Sequence, residues 1–417
     1  MLMVNKNALT NLIILGIFLF SIYPLVPHKF ESFSVILFSA CSILYLIVTG
    51  KKKPFIKTFI IVSSIYFVLF VSALMSLNKS EGFNKMETML SLLVFPLVFY
   101  FILGESFIDF SKIRKFFFKT YYLSCILFST ISFYLFTTYK NSKYLSADSN
   151  FYRTAIIQNN YIGDHPIYVS IFISIAIIFG FSFFDKERKF VWRNLLILIT
   201  QGYLITLLVM LMSKGVIFAL LVVFILKVIR QKSIKKTHIL SFVVVLSLFF
   251  ILIPEKNNRF KEIINLNSYK GLDINNSTSI RVLIYKCGIE ALFKSPLFGS
   301  GVGDVQELLD ECYCLRKSNL PKGKYNSHNQ YLFMWLSTGI IGFLIFIGVL
   351  IYYFKKAIEY NDSIMFSILV LYCVIFLFEN VLSRQSGVIF FSFIVNYFLW
   401  DNFNLNKINE KSSYYNL

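Results

Sequence analysis

Between residues 9 and 400 the chain is a series of apolar runs, many of roughly 20 residues, divided by short polar gaps. A helix of that length crosses the hydrocarbon core of a bilayer. In lipid the backbone must satisfy its own hydrogen bonds, so such runs fold as helices. They fall at about 9–27, 32–49, 56–77, 87–104, 116–138, 166–184, 194–212, 215–229, 238–254, 330–353, 363–379 and 386–400. The expectation is an all-α polytopic membrane protein with about twelve transmembrane helices. Composition agrees: the chain is 57% hydrophobic and only 15% charged, against about 25% charged in soluble domains. No small-residue cleavage site follows the first run, so it reads as a retained helix and not a signal peptide.

The net charge of +19 at first suggests a nucleic-acid surface. Its distribution argues otherwise. Lys51-Lys52-Lys53, Lys112 to Lys115, Lys186 to Lys189 and Lys227 to Lys236 all sit in gaps between apolar runs. That is the positive-inside pattern of cytoplasmic loops, with no separate basic domain, so no nucleic-acid partner is expected. With both termini inside, four regions follow. Residues 1–253 hold helices 1–9, residues 254–329 form a large outer loop, residues 330–400 hold helices 10–12, and residues 401–417 form a polar cytoplasmic tail. Ser213-Lys214-Gly215 supplies the tight outer turn that splits the 194–229 stretch into two spans.

Within the large loop, Ser277 to Lys294 has helical periodicity. Ile280, Leu283, Ile284, Cys287, Ala291 and Leu292 form one apolar stripe, Ser or Thr can cap the start, and Pro296 stops the helix. Such a helix is suited to the membrane–water interface. Gly299, Gly301 and Gly303 follow, without the strand and final glycine of a nucleotide fingerprint. They read as a close-packing corner, with an anion on exposed amides as the lesser reading. Cys287, Cys312 and Cys314 share the loop, so a disulfide from Cys287 to either of the others can form in an oxidising compartment. Asp304, Glu307, Asp310 and Glu311 read as an acidic helix face in water. No carboxylates are spaced for a retaining glycosidase. No Cys/His spacing suits a metal, and no cofactor is expected.

His328 stands where this polar loop becomes an apolar run. Histidine titrates near neutrality, so a rigidly held one can act as a general base. An interfacial ring bonded to a loop carbonyl is the plainer alternative. Lys214 and Arg281 are expected on the same outer face, and cations together there suit a lipid-linked pyrophosphate. Arg153, His165, Arg384 and Asn329 are possible supporting residues. His165 also reads as a helix-start residue, and Asn329 as a cap for the helix after it.

The order Ser213-Lys214-Gly215, Ser279-Ile-Arg281, Pro296-Leu-Phe-Gly-Ser-Gly-Val-Gly303 and Ser327-His328-Asn329-Gln-Tyr-Leu332, followed by Gly339-Ile-Ile-Gly342, resembles the O-antigen ligase and polysaccharide polymerase superfamily. The motifs cover roughly residues 194–350. The resemblance implies a metal-independent, inverting glycosyltransferase of the bacterial inner membrane, acting at the periplasmic face in lipopolysaccharide or polysaccharide synthesis. The implied donor is a glycan on undecaprenyl pyrophosphate, held by Lys214 and Arg281, while His328 acts at the acceptor hydroxyl. The ligase pattern usually has Arg where this chain has Lys214, which keeps the charge but loses the bidentate fork. An O-antigen ligase with lipid A–core as acceptor is the first expectation. A polysaccharide polymerase or a protein O-oligosaccharyltransferase is the alternative within the superfamily. A twelve-span flippase or transporter is the alternative from another class. Transporters usually carry repeated halves and broken mid-membrane helices, and the sequence shows no such pair.

Overall fold

The computed structural model describes residues 6–49, 56–102, 110–140, 151–158, 165–184, 191–230, 262, 265–274, 276–316, 320–323 and 325–414. Among these the chain is entirely helical, with no strand. The helices are α1 (Lys6–Ser21), α2 (Glu31–Thr49), α3 (Ile56–Met75), α4 (Lys79–Thr88), α5 (Ser91–Ile102), α6 (Phe110–Lys140), α7 (Phe151–Gln158), α8 (Pro166–Gly180), α9 (Val191–Met210), α10 (Lys214–Arg230), α11 (Ser277–Leu292), α12 (Val305–Leu315), α13 (Gln330–Glu359), α14 (Ser363–Ile375) and α15 (Gln385–Tyr414). Six helical stretches among the described residues are long and apolar enough to cross a membrane: His28–Val48, Ile56–Met75, Ser111–Thr138, Pro166–Phe183, Val191–Met210 and Gln330–Glu359. The chain is therefore a multi-pass membrane protein. The expected span at 238–254 lies outside the described residues.

Burial orders the bundle. Nearly every side chain of α8 is buried, as is the run from Ser386 to Asp401 in α15. These two helices form the centre, and α6, α9, α10 and α14 pack against α8. Much of the bundle's interior adhesion is aromatic. Phe393 of α15 stacks on Phe20 of α1 at 4.1 Å, and Phe118 of α6 on Phe179 of α8 at 4.2 Å. Outward faces of α2 and α9 expose Ile36, Ile47, Trp192 and Leu196, as surfaces bathed in hydrocarbon do.

Several local expectations are corrected. The polar gap before residue 165 contains a helix, α7, that its sequence did not signal. The segment after Asp401 continues as helix to Tyr414, with Asp401, Asn402 and Asn404 buried, instead of trailing as a loose tail. Helix α11 is capped by Asn276 and not by Ser or Thr. The Asn276 side chain accepts from the Thr278 and Ser279 amides at 3.0 and 3.2 Å. Cys287 of α11 is bonded to Cys312 of α12, which settles the pairing and leaves Cys314 an exposed thiol.

The glycine corner is a packing device. Ser300 and Gly301 amides donate to the Leu336 and Ser337 carbonyls at 2.8 and 3.2 Å. Val302 and Gly303 amides donate to the Ser72 and Ser76 hydroxyls at 2.9 and 3.0 Å. With those amides engaged, the anion reading of this corner is overturned. Asp304 ties the same corner to the α3–α4 junction, accepting from the Leu77 and Asn78 amides at 2.7 and 2.8 Å.

Helix α13 is not one straight span. Gly339 has φ 68° and ψ −173°, which breaks the helix there. The backbone at Pro296 and Leu297 crosses the break. The Pro296 carbonyl accepts from the Ile340 amide at 3.0 Å and from the Trp335 indole at 3.1 Å. A β-carbon on Gly339 would strike the Leu297 carbonyl, so only glycine suits both the angle and the contact. The segment Gln330–Thr338 is thereby fixed beside the large loop, and it begins two residues after His328.

Candidate active site

A cleft of about 290 Å³ gathers the sequence candidates. Arg153, His165, Lys214, Arg281 and His328 all line it, and Glu379 joins them. They come from α7, the start of α8, the α9–α10 turn, α11, the α12–α13 loop and the α14–α15 loop.

Each is held for a local reason. Met212 adopts φ 52°, which ends α9 and turns the chain within two residues. Ser213 is buried and receives a hydrogen bond from Ser170 at 2.8 Å, so Lys214 opens α10 at the cleft. Gly215 lets α10 approach Phe378, where a β-carbon would come within 2.9 Å of that side chain. Arg153 donates to the Leu211 carbonyl at 3.1 Å, where α9 ends. Arg281 forms no hydrogen bond or ion pair among the described residues, and its charge acts on Glu379.

His328 has φ 43°, a left-handed conformation uncommon outside glycine. Its surroundings hold it there. Its amide donates to the Asn326 side chain at 2.9 Å, and the Tyr285 hydroxyl lies 3.3 Å from its carbonyl and 2.9 Å from that of Leu377. The buried Asn380 side-chain oxygen accepts from the Asn329 amide at 2.7 Å, and its amide group donates to the Ser327 hydroxyl at 2.8 Å. Gln330 donates its amide to Phe376 and accepts from the Leu382 amide, at 2.7 and 2.9 Å. The loops 325–330 and 376–383 thus form one stitched wall.

On that wall the His328 Nδ1 lies 3.2 Å from Glu379 Oε2. The Glu379 side chain is 3% exposed, against 22% for His328. Burial alone would raise the Glu379 carboxyl. The His328 hydrogen bond, and the charges of His328, His165 and Arg281, outweigh it and hold the group below its ordinary value. Ionised Glu379 can only accept, so Nδ1 carries a proton, and in the neutral ring Nε2 presents its lone pair. That ring can take a proton from a hydroxyl, and the carboxylate stabilises the imidazolium that results.

Lys214 is already paired. Its Nζ lies 2.9 Å from Glu262 Oε2, and the Ser277 hydroxyl donates to the same oxygen at 2.7 Å. One carboxylate oxygen therefore sits between a cation and the first turn of α11, a position that suits a phosphate oxygen.

The remaining candidates divide. His165 lines the cleft and is also the N-cap of α8, its Nδ1 3.4 Å from the Ile167 amide. Its imidazole is pushed down to about 4, by burial first and then by Arg153, Arg384 and His328, with Glu379 opposing. It is uncharged near neutral pH, and so is a poor donor of charge to a phosphate. Asn329 is the N-cap of α13, accepting from the Leu332 amide at 3.0 Å, and does not line the cleft. Arg384 lines a neighbouring, larger cleft. Glu379 was missed because it ends the run Phe376-Leu377-Phe378, which reads as the last turn of a span. A carboxylate at the edge of an apolar run was the available signal.

The family described as O-Antigen ligase has a model that matches residues 199–347. That stretch contains Lys214, Arg281 and His328, and bears out the resemblance to the O-antigen ligase superfamily. Glu379, Arg153 and His165 lie outside it. No curated protein matches the chain.

Proposed function

We propose that this membrane protein transfers a glycan from a polyprenyl pyrophosphate, of the undecaprenyl kind, to an acceptor hydroxyl, with inversion at the anomeric carbon. The convergence of His328–Glu379 with Arg153, Lys214 and Arg281 on one cleft carries this reading. The cations hold the pyrophosphate, which takes over the place of the Glu262 carboxylate beside Lys214 and Ser277. His328 Nε2 removes the proton of the acceptor hydroxyl as its oxygen attacks the anomeric carbon. The bond from that carbon to the pyrophosphate oxygen breaks on the opposite face, and its electron pair leaves with the polyprenyl pyrophosphate. Arg281 and Lys214 stabilise the charge the leaving group gains. Glu379 accepts from Nδ1 throughout. The chain crosses the membrane twelve times in this reading, with the cleft at the periplasmic face of the inner membrane.

The test is purified protein in liposomes with a polyprenyl-pyrophosphate oligosaccharide. Lys214→Ala and Arg281→Ala are each expected to reduce transfer by about 10²-fold or more, as loss of a preorganised donor does. Lys214→Arg should retain most activity, and full activity in both alanine variants would remove the donor assignment. Glu262→Gln weakens the internal competitor for Lys214, so the donor KM should fall several-fold. A donor KM that rises would instead make Glu262 a support for Lys214. The sidedness is checked on Cys314, the exposed thiol of α12. A membrane-impermeant maleimide should label it in spheroplasts, and protection from that reagent would reverse the topology.

A further inference from the structure

Helix α13 marks where one surface of the bilayer lies. Its break at Gly339 leaves about 20 residues, 340–359, which extend roughly 30 Å and match the thickness of a hydrocarbon core. Ile341, Leu344, Ile351 and Ile358 are exposed along that stretch, as lipid-facing side chains are. Trp335 stands about one turn before the break, stacked on Phe343 at 5.3 Å and donating to the Pro296 carbonyl. That is the place of a ring in an aromatic belt. The Pro296–Leu297 backbone crosses α13 at the break itself. The corner that follows α11 therefore lies at the membrane–water boundary, on the side of the cleft.

At this boundary the chain turns large apolar side chains outward. Phe293 and Phe298 are 79% and 63% exposed, and Ile289 and Leu297 are each more than half exposed. They are not the apolar stripe expected to meet the interface. Ile280, Leu283, Ile284, Cys287 and Ala291 of that stripe are buried, where α11 packs on α12 and α13. A second face of α11 carries Lys286, Ile289 and Phe293 at helical spacing, and Lys294, Leu297 and Phe298 extend it into the corner. Lys286 and Lys294 are exposed and form no hydrogen bond or ion pair among the described residues. Glu290 lies between them and is paired with Arg316, so the patch stays net positive. Apolar rings flanked by free ammonium groups fit a leaflet that offers acyl chains below and phosphates above. The patch also adjoins the lipid-facing surface of α13 at Ile341 and Leu344.

We propose that this face of α11 and the 296–298 corner dock on the leaflet at the cleft side and bind anionic phospholipid there. Lys286 and Lys294 hold the lipid phosphate, and its acyl chains cover Phe293, Leu297 and Phe298. Arg281 is carried by the same helix, so the docked face holds the cleft at a fixed height over the leaflet.

The experiment attaches a fluorophore to a Phe298→Cys variant made in a Cys314→Ser background, which removes the exposed native thiol. The protein is placed in phosphatidylcholine liposomes containing a little nitroxide lipid, labelled on the acyl chain close to the headgroup. Nitroxide phosphatidylglycerol is expected to quench the fluorophore several-fold more than nitroxide phosphatidylcholine. Adding Lys286→Gln/Lys294→Gln should abolish that difference, since a lysine at the surface enriches anionic lipid roughly fivefold. All three positions are exposed, so the fold should survive the changes. A fluorophore quenched by aqueous iodide and by neither lipid overturns the docking. One that neither iodide nor lipid reaches shows that protein, a second copy of the chain included, covers the face instead, and overturns it too. Equal quenching by the two lipids, or a preference that survives loss of both lysines, overturns the anionic site.

Discussion

Replacing His328 with Ala should reduce kcat for glycan transfer by about 10² to 10⁴-fold, the range lost when a general base is removed. The donor KM should change little. In the proposed transfer the pyrophosphate is held by Arg281 of α11 and Lys214 of α10, not by His328. The reasoning rests on the ring's protonation. Glu379 is buried and ionised, so it fixes the proton on Nδ1 and leaves Nε2 as the acceptor. Alanine removes that acceptor while keeping the stitched wall, because Asn380 bonds the backbone of Asn329 and the side chain of Ser327, not the His328 ring. The measurement is single-turnover transfer by protein whose amount and melting temperature match the wild type. Imidazole added to the buffer should restore part of the lost rate, since the vacated ring space opens onto a cleft. Full activity without the ring would show that the acceptor needs no base from this side chain.

How much of this site could be read from sequence depends on what each residue signals locally. Lys214 and His328 were legible because each is polar at the edge of an apolar run, where a charged group has few uses other than pairing or binding, and Arg281 because it projects from the helix read in the large loop. Sidedness gave the expectation of a common outer face, and the cleft that the three share is a finding of the fold. Glu379 was not legible as a partner, for it lies 51 residues from His328 and its role exists only once two loops meet. Asn329 shows the opposite case. Its position before Gln330 had two uses, and the geometry of the α13 start gave it to capping. The Gly339 break also lay beyond sequence reasoning, since Gly339 sits inside an apolar run. Its φ of 68° is set by the Pro296–Leu297 backbone lying against it, a contact between segments more than forty residues apart. Span counting had a similar limit. Hydropathy marks apolar length, but helix α14 ends at Ile375, before the loop that carries Glu379, so it is shorter than the 363–379 run that announced it.

Glu379→Gln should lower kcat by about a hundredfold or more, because carboxylates that orient a catalytic histidine carry effects of that order. Glutamine keeps the volume and can still accept from Nδ1, so the wall survives. It cannot offset the positive charge that His328 gains when it takes a proton, and its amide can turn to present a donor to Nδ1 and select the wrong tautomer. Glu379→Asp keeps the charge but withdraws it by one methylene from a 3.2 Å contact, so partial activity is expected. A side chain that served packing alone would rank the variants the other way, with Gln near wild type and Asp impaired. Acid stability supplies an independent readout. The Glu379 carboxyl titrates below its ordinary value of 4.5 in the folded protein, so its ionised form stabilises the fold above that ordinary value. The contribution is lost as the pH falls through the lowered value. The wild type should therefore hold a constant melting-temperature advantage over Glu379→Gln near neutrality, and that advantage should shrink as the pH drops below the ordinary carboxylate range. An advantage that grew on acidification would mean that Glu379 is protonated in the folded protein, and the assignment of Nδ1 as donor and Nε2 as base would fail with it.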